Sequence, residues 1–102
     1  MQVVIYRNQG SGGSVNYVVG STLVSGGECY QTAMGDVDGD GRTDISVVNR
    51  YQNSIAVFRN SSLNSGLSFE PPVIVPTGQW PMSLKMGDLD KDGKPDFLVS
   101  HT

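Results

Sequence analysis

Residues 34–49 read Met-Gly-Asp-Val-Asp-Gly-Asp-Gly-Arg-Thr-Asp-Ile-Ser-Val-Val-Asn, and residues 86–100 read Met-Gly-Asp-Leu-Asp-Lys-Asp-Gly-Lys-Pro-Asp-Phe-Leu-Val-Ser. Both carry the pattern D-x-D-x-D-G-x-x-D, at Asp36–Asp44 and Asp88–Asp96, and each runs directly into a stretch of strand formers. The copies lie 52 residues apart. The same offset carries Arg7-Asn8 onto Arg59-Asn60, Tyr17 onto Phe69 and Gly26 onto Gly78, with no net insertion or deletion between these anchors.

This offset divides the chain into a first repeat, residues 1–52, and a second, residues 53–102. Thirteen Val against two Ala, with thirteen Gly, five Pro and twelve Ser, is a strand-and-turn vocabulary and excludes a helical bundle. Four strands are expected in each period. In the first they are Gln2–Arg7, Val15–Val24 with a break near Gly20, Tyr30–Met34 and Asp44–Asn49. In the second they are Ser54–Arg59, Leu67–Val75 interrupted by Pro71-Pro72, Met82–Met86 and Asp96–Ser100. Polar loops at 8–13 and 60–66 close hairpins, and the Pro pair places its strand at an outer edge or on a bulge, because proline donates no ladder hydrogen bond. A strand-rich period of roughly 40–50 residues signals a propeller blade or a related stacked unit, since one small sheet cannot bury both faces alone. The expected class is therefore all-β, built of four-stranded antiparallel propeller blades, two blades' worth per chain.

Charge is distributed very unevenly. The formal net charge is −3, yet all eight Asp lie in the two windows, which carry −3 and −2, while the rest of the chain is +2. A broad nucleic-acid face needs clustered Lys and Arg, so no nucleic-acid partner is expected. No apolar run approaches the roughly 20 residues of a membrane span, and no secretory leader is visible, so the chain as given reads as soluble with no membrane partner. The single cysteine, Cys29, excludes an intrachain disulfide and a Cys-based metal cluster, and reads as a small buried apolar residue.

Carboxylates at alternate positions of a tight loop converge on one point, and the Gly after the third Asp permits the turn that returns the later groups. Crowded carboxylates repel unless a cation neutralises them, and oxygen donors without His or Cys suit Ca²⁺ rather than Zn²⁺ or Cu²⁺. The spacing assigns Asp36, Asp38 and Asp40 by side chain, the backbone carbonyl of Arg42, and Asp44. The second set is Asp88, Asp90 and Asp92, the carbonyl of Lys94, and Asp96. Two Ca²⁺ per chain would turn the formal charge from −3 to +1. An EF-hand is excluded: its twelfth position holds Val47 or Val99 within strand patterns, and Pro95 would break a helix.

With Val-Ile-Tyr-Arg-Asn at 4–8 and Ala-Val-Phe-Arg-Asn at 56–60, the two acidic stretches resemble FG-GAP/VCBS repeats, the calcium-loop blades of integrin-α-like β-propellers. The likeness spans essentially the whole chain. Tyr30 and Trp80-Pro81 stand where a Phe-Gly and Gly-Ala-Pro pair would precede each loop, so the VCBS type is the nearer likeness. The resemblance implies that each loop joins the first and second strands of a blade. Residues 30–75 then form one complete blade, with half-blades at 2–24 and 82–100. It also implies a secreted or extracellular parent.

Propellers close with about four to eight blades, so two repeats cannot close alone. The expected partner is the chain itself, as a head-to-tail homo-oligomer of three copies giving six blades or four giving eight, with four favoured. Met1 followed at once by a strand, and a chain ending just after one, point to an excised, permuted or designed fragment of a longer propeller. The leading functional expectation is a non-enzymatic, calcium-stabilised scaffold or interaction surface for protein or glycan ligands. The alternative is a carbohydrate-binding module in which Trp80, Tyr30 and Tyr51, with His101, stack on a sugar; otherwise Trp80 packs between blades and Tyr30 lies in the core. Catalysis is not expected, because His101 is the sole histidine and no Ser/His/Asp or Cys/His set can be assembled around it.

Overall fold

A computed structural model of the chain describes residues 1–63 and 66–102. Positions 64 and 65 of the expected loop 60–66 lie outside the described residues. Eight strands follow in order: β1 (Gln2–Asn8), β2 (Tyr17–Val24), β3 (Cys29–Gly35), β4 (Asp44–Asn49), β5 (Ser54–Phe58), β6 (Val73–Pro76), β7 (Pro81–Gly87) and β8 (Asp96–His101). They form one four-stranded sheet, β3-β4-β5-β6, and two two-stranded sheets, β1-β2 and β7-β8, all antiparallel. Among the described residues there is no helix, hence none long and apolar enough to cross a membrane.

The central sheet is apolar on both faces, and its middle strands β4 and β5 are buried along their whole length. Alternation divides them cleanly. Ile45, Val47, Ala56 and Phe58 face one side, where they cluster with Leu23, Val3 and Ile5 of the β1-β2 hairpin. Val48, Ile55 and Val57 face the other, against Leu84, Phe97 and Val99 of the β7-β8 hairpin. Fully burying one such aliphatic side chain contributes about 1.5–3 kcal/mol, so the two hairpins are what allow this sheet to exist. A polar tie adds to the second contact: Gln31 on β3 accepts a hydrogen bond from the backbone N–H of Leu84 on β7. Cys29 is half-buried against the first cluster, with its Sγ 3.0 Å from Ser25 Oγ.

Two local irregularities follow from composition. Gly20 is the extra residue of a bulge, since Ile5 pairs with Ser21 while Tyr6 pairs with Val19. The strand expected over Leu67–Val75 is much shorter: Pro71-Pro72 break it, leaving a single bridge between Asn60 and Phe69 and the edge strand β6 from Val73 onward.

Ile55→Val, which removes one methylene from a fully packed site, should lower unfolding free energy by about 1 kcal/mol in a denaturant titration. Leu89→Ala, at an exposed loop position, should stay within about 0.5 kcal/mol of the parent.

Candidate metal centre

The first acidic loop fills the connection from β3 to β4. Gly39 and Gly41 take left-handed backbone angles, with φ of 80° and 83°, and fold the segment back on itself. Backbone N–H groups then hold the carboxylates in place. Gly39 N and Gly41 N donate to the two oxygens of Asp36 at 2.8 and 2.7 Å, Asp40 N donates to Asp38 at 3.3 Å, and Arg42 N donates to Asp40 at 2.8 Å. Val37 N donates to Asp44 Oδ2 at 2.8 Å. As a result Asp36, Asp38, Asp40 and Asp44 each offer one oxygen, and these four atoms lie within 4.8 Å of one another. Oxygens bonded to one Ca²⁺ at about 2.3–2.6 Å stand at most about 5 Å apart, so the donor set fits a hard, oxygen-seeking cation.

The second loop repeats most of this network, with Asp92 N, at 3.2 Å, donating to Asp88 Oδ1 in place of the residue equivalent to Gly39. Leu89 N donates to Asp96 Oδ2 at 2.9 Å, Gly93 N to Asp88 Oδ2 at 2.8 Å, Asp92 N to Asp90 Oδ1 at 3.3 Å, and Lys94 N to Asp92 Oδ1 at 2.9 Å. Here the converging group is Asp88, Asp90 and Asp96. Asp92, expected as the third side-chain ligand, is not drawn into it. Lys91 adopts a left-handed φ of 60° at the position equivalent to Gly39. The N–H of Gly93, followed by those of Asp92 and Lys91 and the bond with Asp90, outweighs burial and holds the Asp88 carboxyl below its ordinary range. A carboxyl depressed on folding stabilises the native loop above its unfolded pKa, and that contribution is lost as pH falls through the lower native value.

The first loop is anchored to its own sheet by Arg59 and Asn60, which the sequence marked as repeat anchors and not as part of the site. Asp44, 0% exposed, opens β4 and accepts a second bond, from Asn60 N to Oδ1 at 2.7 Å. Asn60 Nδ2 donates to Thr43 O at 2.9 Å. Arg59 Nε donates to Asp38 Oδ2 at 2.9 Å, and its Nη1 lies 3.3 Å from Glu70. The hydrogen bond to Asp38, then the charge of Glu70, raise the Arg59 pKa. Arg59-Asn60 is one of the anchors recurring at the 52-residue offset, and that recurrence was the available signal. Arg42, whose carbonyl was expected to face the ion, also places its guanidinium 3.3 Å from Asp40.

Tyr30, Tyr51 and Trp80 do come together, around a fourth residue. The Arg50 guanidinium carbon lies 5.0, 5.9 and 5.7 Å from their respective ring centroids, and the Tyr51 and Trp80 rings meet edge to face at 5.3 Å. The expectation of Tyr30 in the core is corrected: its ring is exposed, stacked on the cation instead. Trp80 carries φ of 54°, uncommon for a bulky residue, and its N–H is held by Asn53 Oδ1 at 2.9 Å. His101 is exposed, with Nδ1 2.8 Å from Gln79 O.

A family model described as FG-GAP-like repeat matches residues 36–99, more than half of the chain, and the chain belongs to that family. No curated protein and no solved structure matches it.

Asp44→Ala removes the shared acceptor of two backbone N–H groups at a buried site, and should cost about 2–4 kcal/mol by chemical denaturation. Lys91→Gly relieves the left-handed strain of the second loop and should stabilise the chain by about 0.5–1 kcal/mol in the same assay.

Proposed function

We propose that this chain is a calcium-binding β-propeller unit, a non-enzymatic scaffold whose two acidic loops each bind one Ca²⁺ and whose half-sheets associate head to tail with other copies. The observation that carries the reading is the convergence of four carboxylate oxygens within 4.8 Å at the first loop, beside a sheet whose two faces are each covered by half of a further sheet. Family membership supports the propeller-type module. Asp36, Asp38, Asp40 and Asp44 would hold the first ion, completed by the Arg42 carbonyl. Asp88, Asp90 and Asp96 would hold the second, with Asp92 and the Lys94 carbonyl turning inward on binding. The bound cation supplies neutralising charge, and the chain's own contribution is a set of N–H donors that hold the carboxylates ready. Three copies would complete six blades and four would complete eight, with four favoured.

Calcium should stabilise the fold by mass action. At free Ca²⁺ 100-fold above the dissociation constant each ion adds about 2.7 kcal/mol, a rise in Tm of about 10 °C or more. Scanning calorimetry before and after chelation measures this, and isothermal titration should return two ions per chain. An unchanged Tm together with no heat of binding would remove calcium from the reading.

A further inference from the structure

Among the described residues every strand except β4 and β5 has a single neighbour, and the open edges of β1 and β8 stand out among these by the repeat. By the 52-residue offset, β8 is the copy of β4 and β1 is the copy of β5. Inside the chain β4 and β5 pair, from Ile45↔Phe58 to Asn49↔Ser54. The open edges are therefore the two halves of a pairing already present once.

The ends of those edges match in detail. Gln9 N bonds Asn16 O at 2.6 Å, as Ser61 N bonds Ser68 O at 2.9 Å, and Gly10 N bonds Asn8 Oδ1 at 2.9 Å, as Ser62 N bonds Asn60 Oδ1 at 2.9 Å. Asn8 thus sits in the same turn as Asn60, with its N–H directed away from β2. On the other edge, the second loop keeps the bonds of the first from the residue after the first Asp and from the fifth, sixth and seventh positions, has Asp92 N rather than Lys91 N on Asp88 Oδ1, and lacks those that arise from β5's end. Asp96 Oδ1 and Asp90 Oδ2 receive no donor among the described residues, whereas Asp44 Oδ1 and Asp38 Oδ2 receive Asn60 and Arg59. Burial follows the same division: Asp44 is fully buried and Asp96 only half-buried, and Phe58 is 3% exposed against 60% for its copy, Tyr6.

Resting on the head-to-tail reading above, we propose that the second acidic loop is completed in trans by a second copy of this chain. The partner's β1 adds to the open edge of β8 in the register Phe97↔Tyr6, Leu98↔Ile5, Val99↔Val4, Ser100↔Val3 and His101↔Gln2. The partner's Asn8 N–H then donates to Asp96 Oδ1, as Asn60 N donates to Asp44 Oδ1. The partner's Tyr6 comes onto the same sheet face as Phe97 and Val99, the face that packs on Val48 and Ile55. Because the two edges differ, the contact is heterologous, and it repeats until the ring closes.

Disulfide trapping in a Cys29→Ser background tests the register. Mixed chains carrying Val3→Cys or Ser100→Cys should form a covalent heterodimer under mild oxidation, because the equivalent Ile55 and Val48 form a close, non-hydrogen-bonded pair across β4-β5. Val4→Cys with Ser100→Cys, one residue out and on the opposite face, should not. In the untrapped assembly the Asn8 amide should exchange with solvent at least tenfold more slowly than in dilute monomer, and Asp96→Ala should abolish that protection while circular dichroism stays unchanged. Sedimentation showing a folded monomer at all concentrations overturns both the head-to-tail reading and this one. A multimer that traps at another register, or whose Asn8 exchanges freely, overturns the trans-completed loop alone.

Discussion

A four-stranded sheet whose middle strands are buried on both faces must be covered twice, and everything else in this chain follows from that requirement. Val47 and Val48 are neighbours in sequence, both fully buried, and they point to opposite sides of one layer. Such a sheet has no solvent face, so it cannot stand at the outside of a two-layer domain. The chain meets the constraint by placing one two-stranded sheet, half the width of the central one, on each side. Each half is itself covered on a single face, which leaves Tyr6, Val19 and Leu98 in solvent at opposite ends of the stack. The exposure of the ends is thus the direct counterpart of the burial of the middle.

The acidic loops are part of this sheet construction. Asp44 is both the last acid of its loop and the first residue of β4, and its two oxygens receive N–H groups from Val37 within the loop and from Asn60 beyond β5. A carboxylate in that position couples the loop's shape to the pairing of the second and third strands. Neutralising the loop with a cation would therefore act on the β4-β5 ladder, which is the centre of the core.

Much of this was legible because the signals are local and repeated. β-Branched and aromatic runs bounded by turn residues located seven strands closely and only the last three residues of Leu67–Val75, while Gly20 marked its bulge and Pro71-Pro72 marked an edge. The two D-x-D-x-D-G-x-x-D windows named the converging acids at the first loop without knowledge of any contact. What escaped depends on pairs distant in sequence. Arg59 and Asn60 reach the first loop only because β4 and β5 pair in a particular register, and nothing in their own composition announces it. Arg50 draws Tyr30, Tyr51 and Trp80 to itself from three separate segments, so aromatic residues that read as ligand platforms or core are already engaged with a cation of the same chain. Asp92 escaped for a subtler reason, since its spacing equals that of Asp40 while its carboxylate stands apart from the converging group.

The repeats serve as internal controls for one another, and the comparison separates what a loop owes to its own sequence from what it owes to its setting. Replacement of Gly39 by Lys91 leaves the backbone in the same left-handed turn, and the bonds from Gly41 and Arg42 recur from Gly93 and Lys94 with nearly equal lengths, although the one from Gly39 does not. Local sequence is therefore sufficient to shape the loop. It is not sufficient to bury it: Asp44 lies beneath a third strand and Asp96 does not, although each begins its strand and accepts the same bond from the residue that follows the first Asp of its window. The difference between the copies is the presence or absence of a β5-like strand at the next edge, and among the described residues the other strand of that kind is β1, which pairs on one side with β2 and is open on the other.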